Sequence, residues 1–287
     1  MHDEMPKQVR HDGLNKMIDN KDKVAVVFGV RNENSIAYNI ALKLHRSGCK
    51  VALSYVADTK GDVLHLVDKL GLDPEYIMGV DVRSEEQITE FLNKIYNGLG
   101  PINYILHGVA YGSPKVMYYS QAATGAENAP SYLDIPFEDI IDSFDISAYS
   151  LIRICRVAEK LLAPNASILT LTYNAANRVF PSYGGMAINK AALENIVIYL
   201  ANHFREQKIR VNAISAGLVM TTSAGVIYGV RKLRKMGKFT APLGNIDAND
   251  VGDTALYYFS DLSKKVTGNI HFVDGGFNVM GLGVDEA

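Results

Sequence analysis

Seven short apolar runs recur along this chain, and each is separated from the next by a longer segment with helical periodicity. The runs are VAVVF (24–28), KVALSY (50–55), YIMGV (76–80), INYILH (102–107), SILTLT (167–172), RVNAIS (210–215) and NIHFVD (269–274). Apolar runs such as VAVVF, without polar alternation, are typical of strands buried on both faces, as in parallel sheets. The alternation of strands and helices therefore predicts a single-domain α/β protein with a doubly wound, Rossmann-type sheet of seven parallel strands.

The segments between the runs determine where a ligand would bind. We predict helices over about 35–47, 85–99, 137–162, 183–207 and 251–262, and one more through Leu66 and Leu70. In doubly wound sheets, ligands bind beyond the C-terminal ends of the strands. Two connections at that end, 108–136 and 216–245, are longer than a compact domain needs, and such loops often build a binding site.

Composition excludes several classes of function. The 287 residues are 48% hydrophobic and carry a net charge of −2, so no basic excess indicates nucleic acid or an anionic membrane surface. No stretch approaches the ~18 apolar residues of a membrane span. Residues 1–22 form a polar extension without the apolar core of a signal peptide, 23–281 form the domain, and 282–287 form a tail. Cys49 and Cys155 lie in apolar patterns that favour buried free thiols over a disulfide or a metal site, which fits a reducing compartment.

The turn after the first strand is a candidate dinucleotide site. Gly29 provides a tight turn, but the later glycines of the G-x-G-x-x-G fingerprint are missing. Ser35 is a plausible helix N-cap, and the free N–H groups behind it can hold a pyrophosphate. A plain strand–turn–helix with a capping serine fits equally well. Val56 replaces the usual ribose-binding carboxylate after the second strand, and Asp81-Val82 could contact an adenine or cap the next helix.

Two tyrosines and a lysine follow the fifth strand. Tyr183 and Lys190 are seven positions apart, so on one helix they would share a face about 10 Å apart along the axis. A nearby ammonium group would favour phenolate character in the tyrosine, and a tyrosine hydroxyl backed by a cation suits stabilisation of an oxyanion. Spacing alone nevertheless favours a packed tyrosine and a solvated lysine. Tyr173, ten positions before Tyr183, is the alternative partner of the lysine.

Several motifs together carry a family resemblance. They are Gly29 followed by SIA (35–37), FDISAYS (144–150), LTYNAANRVFPSY (171–183) with Lys190, VNAISAG (211–217) and SDLSKKVTGNIHFVDGGF (260–277). Over about residues 23–280 the chain resembles the short-chain dehydrogenase/reductase superfamily. Within it, the chain is similar to the NADH-dependent enoyl-acyl-carrier-protein reductases of bacterial and plastid fatty acid synthesis. The resemblance implies reduction of the trans-2 double bond of an enoyl thioester on acyl carrier protein, a homotetramer, and a cytoplasmic or plastid-stromal location.

The resemblance also implies roles for individual residues. Tyr183 would hydrogen-bond the thioester oxygen, Lys190 would hold the nicotinamide ribose, and Tyr173 would be a second active-site tyrosine. The implied cofactor contacts are Gly29, Ser35, Ile36, Asp81, Val82, Gly108, Lys190 and Ile214. The implied substrate and inhibitor pocket comprises Ala110, Tyr111, Met186, Ala216 and Val226, beneath a mobile substrate loop at about 216–244. Phenolic diphenyl ethers inhibit the family, and their second ring would lie beside Ala110.

Some positions depart from the family pattern. Leu218 replaces a usual proline, and Asn39 and Ala110 replace common glycines, which leaves open a paralogue acting in another acyl pathway. Carbonyl reductases of the superfamily place the tyrosine four residues before the lysine, where this chain has Met186, so that activity would need Tyr183 as a substitute. A catalytically idle NAD(H)-binding sensor is a third alternative.

Cofactor choice depends on the end of the second strand. NADPH-using relatives place cations there for the 2′-phosphate, whereas Val56 and Ala57 are uncharged. We therefore expect NADH, although Lys60 is near enough in sequence to reach a 2′-phosphate.

Overall fold

A computed structural model describes residues 18–56, 59–117, 131–180, 183–222, 224–226 and 230–281. Its strands are β1 Val24–Phe28, β2 Lys50–Tyr55, β3 Ile77–Gly79, β4 Ile102–His107, β5 Leu162–Thr172, β6 Arg210–Ala216 and β7 Ile270–Val273. They form one sheet in the order β3-β2-β1-β4-β5-β6-β7, and every neighbouring pair is parallel. The predicted seven-stranded parallel Rossmann-type sheet is confirmed.

Helices cover both faces of the sheet. They are α1 Ile36–Arg46, α2 Lys60–Leu70, α3 Glu85–Leu99, α4 Pro114–Met117, α5 Phe137–Phe144, α6 Ser150–Ala158, α7 Gly184–His203, α8 Val230–Thr240 and α9 Ala248–Tyr258. Short 3-10 turns lie at Pro74–Tyr76, Tyr132–Asp134, Asn174–Ala176, Ala224–Val226, Asp261–Ser263 and Phe277–Val279. The predicted helix at 85–99 is confirmed, and the one at 35–47 forms between its capping serines Ser35 and Ser47.

Strand β1 shows how the apolar runs build the core. Ala25 and Val27 point to one face, where they join a buried cluster with α1, α2 and α9. Val24, Val26 and Phe28 point to the other face, where they join a second cluster with α3, α6 and α7. Because each strand residue is buried on one face or the other, the run needs no polar alternation.

Two predicted helices differ from the structure in their ends and continuity. The helix predicted over 137–162 consists of α5, a π-helical turn at Asp145–Tyr149 and α6, and it ends at Ala158. Leu162 is already part of β5, where it pairs with Ile102 of β4. The helix predicted over 183–207 begins at Gly184 and ends at His203.

The boundaries of the domain also differ from the prediction. Ile18 is buried in the core, and the buried Asn20 donates to Ser47 Oγ at 3.0 Å and accepts from the Tyr104 hydroxyl at 3.0 Å. The packed region therefore begins at least at Ile18 rather than at residue 23. Residues 1–17 and the 282–287 tail lie outside the described residues.

Candidate active site

The carboxyl ends of the central strands bring the predicted site residues to one edge of the sheet. Gly29 follows β1, Gly108 follows β4, and Tyr173 follows β5. Ile214 lies inside β6 and is fully buried, so its position is fixed by the sheet. This edge is where a doubly wound sheet binds its ligands.

Backbone contact between β1 and β4 explains why glycines occupy two of these positions. Gly29 has φ +89°, and a Cβ there would collide with the carbonyl group of Gly108. A Cβ on Gly108 would in turn lie 2.8 Å from the carbonyl oxygen of Phe28 and 3.0 Å from Cβ of Ala37. The two turns thus approach each other at backbone distance, leaving the amide groups at the start of α1 open to an incoming ligand.

The N-terminus of α1 has the features expected of a pyrophosphate site. The Ser35 hydroxyl accepts the Tyr38 N–H at 3.3 Å, which confirms Ser35 as the N-cap. The Asn39 amide donates to the carbonyls of Glu33 and Ser35 at 3.3 and 3.2 Å, so this departure from glycine fastens the turn. Ile36, the first helical residue, is half-buried, and the free N–H groups of this turn carry the positive end of the helix dipole.

The proposed adenine side of the site is only partly as predicted. Asp81 does not cap α3, because Ser84 is the N-cap and accepts the Gln87 N–H at 3.2 Å. Asp81 instead pairs with the Arg83 guanidinium at 2.8 Å, which lowers the pKa of the carboxyl group. Val82 is buried in the core, and Val56 is 51% exposed beyond β2.

The two tyrosines are neighbours. The rings of Tyr173 and Tyr183 lie edge to face with centroids 5.1 Å apart, and Phe180 packs on Tyr173 at 4.8 Å. Tyr183 is the N-cap residue of α7 with φ −133°, so it lies outside the helical backbone that its spacing from Lys190 suggested. Burial raises the pKa of both phenols above their usual value of 10.0.

Lys190 is buried rather than solvated. It is 4% exposed, and its ammonium group donates to the carbonyl oxygen of Leu171 at 2.9 Å. Burial lowers its pKa to about 8, although the charge of Glu194 works in the opposite direction. The expectation that this ammonium group promotes phenolate character is not met, because burial dominates the pKa of Tyr183. A lysine charge is costly to bury, and a buried lysine with a shifted pKa indicates a functional site.

The residues of the predicted pocket differ in their exposure to solvent. Ala110 and Tyr111 are exposed after β4, whereas Ala216 is buried at the end of β6. Met186 is 3% exposed and packs with Val116, Met117 and Tyr183. The side chain of Val226 lies outside the described residues.

A cavity of about 250 Å³ opens on the far side of Tyr173. The predicted substrate loop forms one of its walls, since α8 contributes Leu233, Met236 and Gly237. The other lining residues are Tyr173, Asn174, Arg178, Val179, Phe180, Gly217, Leu218, Thr240, Ala241, Asn245, Ile246, Asp274, Phe277, Asn278 and Met280. Among the predicted site residues whose side chains are described, only Tyr173 lines this cavity. Its surface is mostly apolar, which suits a hydrocarbon chain.

Sequence reasoning missed several buried polar residues beside the site. His107, the last residue of β4, lies between Thr170 and Ser150 with both ring nitrogens 2.8 Å from their hydroxyl oxygens. Ser147 contacts the backbone of Tyr111, and Glu194 accepts from Thr172 at 2.8 Å. Serines at 143, 147 and 150 recur at helical spacing, a signal that the sequence does contain.

These features define the class of protein. A parallel sheet in this strand order, glycine-lined turns at its carboxyl edge and a buried lysine behind a tyrosine pair are those of a nicotinamide-dependent short-chain dehydrogenase/reductase. Among the described residues, no helix is long and apolar enough to cross a membrane, and no group of three His, Cys, Asp or Glu side chains could hold a metal ion.

Comparison with known proteins identifies the family within this class. Residues 29–278 match the family described as enoyl-(acyl carrier protein) reductase. The chain is 37% identical over 261 residues to the NADH-dependent enoyl-[acyl-carrier-protein] reductase FabI of Rickettsia typhi, a match covering 90% of this chain and 95% of that protein. The chain therefore belongs to the enoyl-acyl-carrier-protein reductase family, and it is a FabI-type oxidoreductase of fatty acid synthesis.

Solved structures of relatives have the same fold. The enoyl-acyl carrier protein reductase of Bacillus cereus with NADP+ and indole naphthyridinone has a TM-score of 0.84 and 34% identity, covering 91% of this chain and 98% of that one. The reductase of Anaplasma phagocytophilum in complex with NAD has a TM-score of 0.81 and 33% identity, covering 93% and 96%. The relatives thus include one structure with NADP+ and one with NAD.

Proposed function

We propose that this chain reduces the trans-2,3 double bond of an enoyl thioester on acyl carrier protein, with Tyr183, Tyr173 and Lys190 at the reacting centre. The observation that carries this proposal is the edge-to-face pair of Tyr173, which follows β5, and Tyr183, the N-cap residue of α7, with the buried Lys190 inside α7. Carbonyl reduction is disfavoured because Met186 occupies the position of the required hydroxyl group and is itself buried.

The cofactor and the side chains have separate roles in the proposed reaction. Bound NADH supplies the hydride for Cβ of the enoyl group. Negative charge then develops on the thioester oxygen, and the Tyr183 hydroxyl donates a hydrogen bond to it. Because burial raises the pKa of this phenol, Tyr183 keeps its proton and acts as a hydrogen-bond donor rather than as a base. The enolate takes its Cα proton from solvent.

Lys190 binds the nicotinamide ribose in this scheme. An ammonium group has three N–H donors, and among the described residues its only hydrogen-bond partner is the Leu171 carbonyl oxygen. Its two remaining donors suit a pair of ribose hydroxyls. The positive charge also favours the developing enolate, since Coulomb interactions are stronger in a buried site.

The apolar cavity behind Tyr173 is the proposed acyl site. It is lined by Tyr173 of the tyrosine pair and by Leu233 and Met236 of α8. An acyl chain that leaves the thioester past Tyr173 would enter it directly. Helix α8 would then lie over the substrate.

Helix α8 also offers a surface that fits an acidic carrier protein. Exposed cations line its outer surface at Arg231, Lys232, Lys235 and Lys238, and the helix carries no acidic residue. A positive surface beside the substrate cavity suits an acidic carrier. Changing Lys232 and Lys235 to Glu should raise KM for the carrier-bound substrate more than KM for a coenzyme A thioester of the same acyl group.

We propose that the enzyme prefers NADH to NADPH. Val56, the residue beyond β2, is exposed and uncharged, so it offers no cation to a 2′-phosphate. Comparing kcat/KM for NADH and NADPH tests this, and a clear preference for NADPH would overturn it.

The proposed assembly is a homotetramer. Helix α7 exposes Ile188, Ile198 and Tyr199, the last at 70%, although the helix is one of the central packing elements of the fold. Exposed apolar side chains along one buried-type helix are typical of subunit contacts. A monomeric mass by light scattering at micromolar concentration would contradict the proposal. The buried free thiols of Cys49 and Cys155 agree with a cytoplasmic location.

One assay separates the candidate activities. Oxidation of NADH is followed by its absorbance with a crotonyl thioester and, separately, with a ketone. The proposed function requires turnover of the thioester and little or none of the ketone. Turnover of the ketone alone would indicate a carbonyl reductase, and binding of NADH without turnover of either would indicate a sensor.

A further inference from the structure

Three serines form a polar stripe in a helical run that is otherwise apolar toward the core. Ser143, Ser147 and Ser150 are all fully buried, and they lie on α5, the π-helical turn and α6. Each contacts a different part of the site. Ser143 accepts from Asn189, which precedes Lys190, at 2.8 Å, and the other two contact residues of β4 and the loop that follows it.

The ring of His107 is the centre of a directional chain of hydrogen bonds. Its Nδ1 lies 2.8 Å from Thr170 Oγ1 and its Nε2 lies 2.8 Å from Ser150 Oγ. Burial, with the nearby charge of Lys190, lowers the pKa of His107 to about 3, so the ring is neutral and one nitrogen must accept.

The hydroxyl groups determine which nitrogen accepts. The Ser150 hydroxyl donates to the Ile146 carbonyl at 2.6 Å, whereas the alternative donation from Thr170 to the His107 carbonyl is longer, at 3.1 Å. Ser150 therefore uses its hydrogen on Ile146 and accepts from Nε2–H. Thr170 then donates to Nδ1. The chain runs from Thr170 through the imidazole and Ser150 to a carbonyl of the π-helical turn.

Ser147, in the same π-helical turn, holds the loop after β4. It accepts the Tyr111 N–H at 2.9 Å and donates to the Tyr111 carbonyl at 2.9 Å. These two bonds fix the segment from Gly108 to Tyr111. That segment begins where Gly108 packs against Gly29, at the start of the proposed cofactor site.

We propose that His107 is a positioning residue: it ties the ends of β4 and β5 to the π-helical turn, so that Ser147 can hold the Gly108–Tyr111 loop in the shape that binds NADH. A π-helical turn inside a longer helix is a frequent feature of functional sites and needs partners that fix its register. His107 provides that partner from within the sheet. The inference rests on the proposed cofactor site.

The test is a double-mutant cycle on NADH binding, measured by fluorescence with the whole chain. His107→Phe keeps a ring and removes both nitrogens, while Thr170 and Ser150 retain carbonyl acceptors. His107→Phe and Ser147→Ala should each raise the Kd of NADH ~3- to 10-fold, the range of about one net hydrogen bond. Because both act on one loop, the double variant should bind no more weakly than the worse single variant.

Two further variants test whether a change in the Kd of NADH comes from this hydrogen-bond chain. Ser150→Ala interrupts the same chain without touching the histidine and should raise Kd to a similar extent. Ser167→Ala removes an equally buried serine hydroxyl that donates to the Tyr258 carbonyl, away from the site, and should lower Tm while leaving Kd unchanged.

The outcomes are distinct. If the unchanged protein does not bind NADH, the proposed cofactor site fails. If it binds NADH but His107→Phe binds equally well, the positioning role is wrong. Multiplicative losses of affinity in the double variant would show that His107 and Ser147 act independently. A loss of affinity in Ser167→Ala equal to that in His107→Phe would show a general loosening of the structure. Either result would also overturn the inference.

Discussion

Raising the pH should weaken NADH binding through Lys190. Burial lowers the pKa of this lysine to about 8 in the protein, well below its usual 10.5. Below pH 8 the group is an ammonium ion, and above it the group is a neutral amine. Because the proposed role needs N–H donors and a positive charge beside the cofactor, only the protonated form should bind NADH tightly.

The pKa fixes the size of this effect. At pH 7 about nine-tenths of the molecules carry the charged lysine, whereas at pH 9 only about one-tenth do. The Kd of NADH should thus rise ~10-fold between pH 7 and pH 9, and by a further factor of ~10 for each unit above that while the complex keeps its proton. The break in a plot of log Kd against pH reports the pKa of the free protein.

Fluorescence titration of NADH from pH 6.5 to 9.5 measures this, with buffers of constant ionic strength. Lys190→Met is the matched control, since methionine has a similar length and no charge at any pH. The variant should bind weakly, and its Kd should be nearly flat across the range. A flat profile in the unchanged protein, or an equal pH dependence in the variant, would refute the role assigned to the lysine charge.

Three substitutions test other parts of the site. Tyr183→Phe should lower kcat ~10²- to 10³-fold, the usual loss for one oxyanion donor, and leave the Kd of NADH nearly unchanged; full activity on every acyl substrate would contradict this role. Gly29→Ala should destabilise the protein or prevent its folding, because the new Cβ meets the Gly108 carbonyl at positive φ, and a normal Tm by calorimetry would show that the turns can separate. Ala110→Gly should tighten a phenolic diphenyl ether ~5- to 150-fold in the presence of oxidised cofactor, and equal affinities would mean that the Ala110 methyl does not face the inhibitor.

The strands are the part of the fold that the sequence predicts best, and the start of β5 is an exception. The bounds of β1, β2 and β4 agree with the apolar runs, and glycine follows both β1 and β4. Strand β5 begins five residues before its apolar run, at Leu162. Pro164 and Asn165 in that segment are turn residues by type, and Asn165 has φ +60°. Pairing with β4 across a shift in register maintains the strand there, and such a tertiary contact leaves no local signal.

Helix α8 was hidden for a different reason. Its eleven residues are so rich in Arg and Lys, with Gly237 among them, that the sequence alone indicates part of a long loop. The apolar positions Val230 and Leu233 are nevertheless three residues apart, which is helical spacing. The mean polarity of the segment concealed its amphipathic pattern, and this pattern is what places an apolar face over the cavity and a basic face outward.

The geometry of Tyr183, the proposed catalytic tyrosine, could not be predicted from sequence spacing. The seven-residue interval places Tyr183 and Lys190 on one helical face only if both are helical, but Tyr183 is the N-cap and its ring turns toward Tyr173. Glycine at 185 makes this possible, because a Cβ there would collide with the side chain of Val116. Helix α4 can therefore pack against the first turn of α7, and Met186 packs beside it. Tyr183 is positioned by this close contact between two distant segments, whereas Lys190 is positioned by the helix, and the seven-residue spacing reveals neither arrangement.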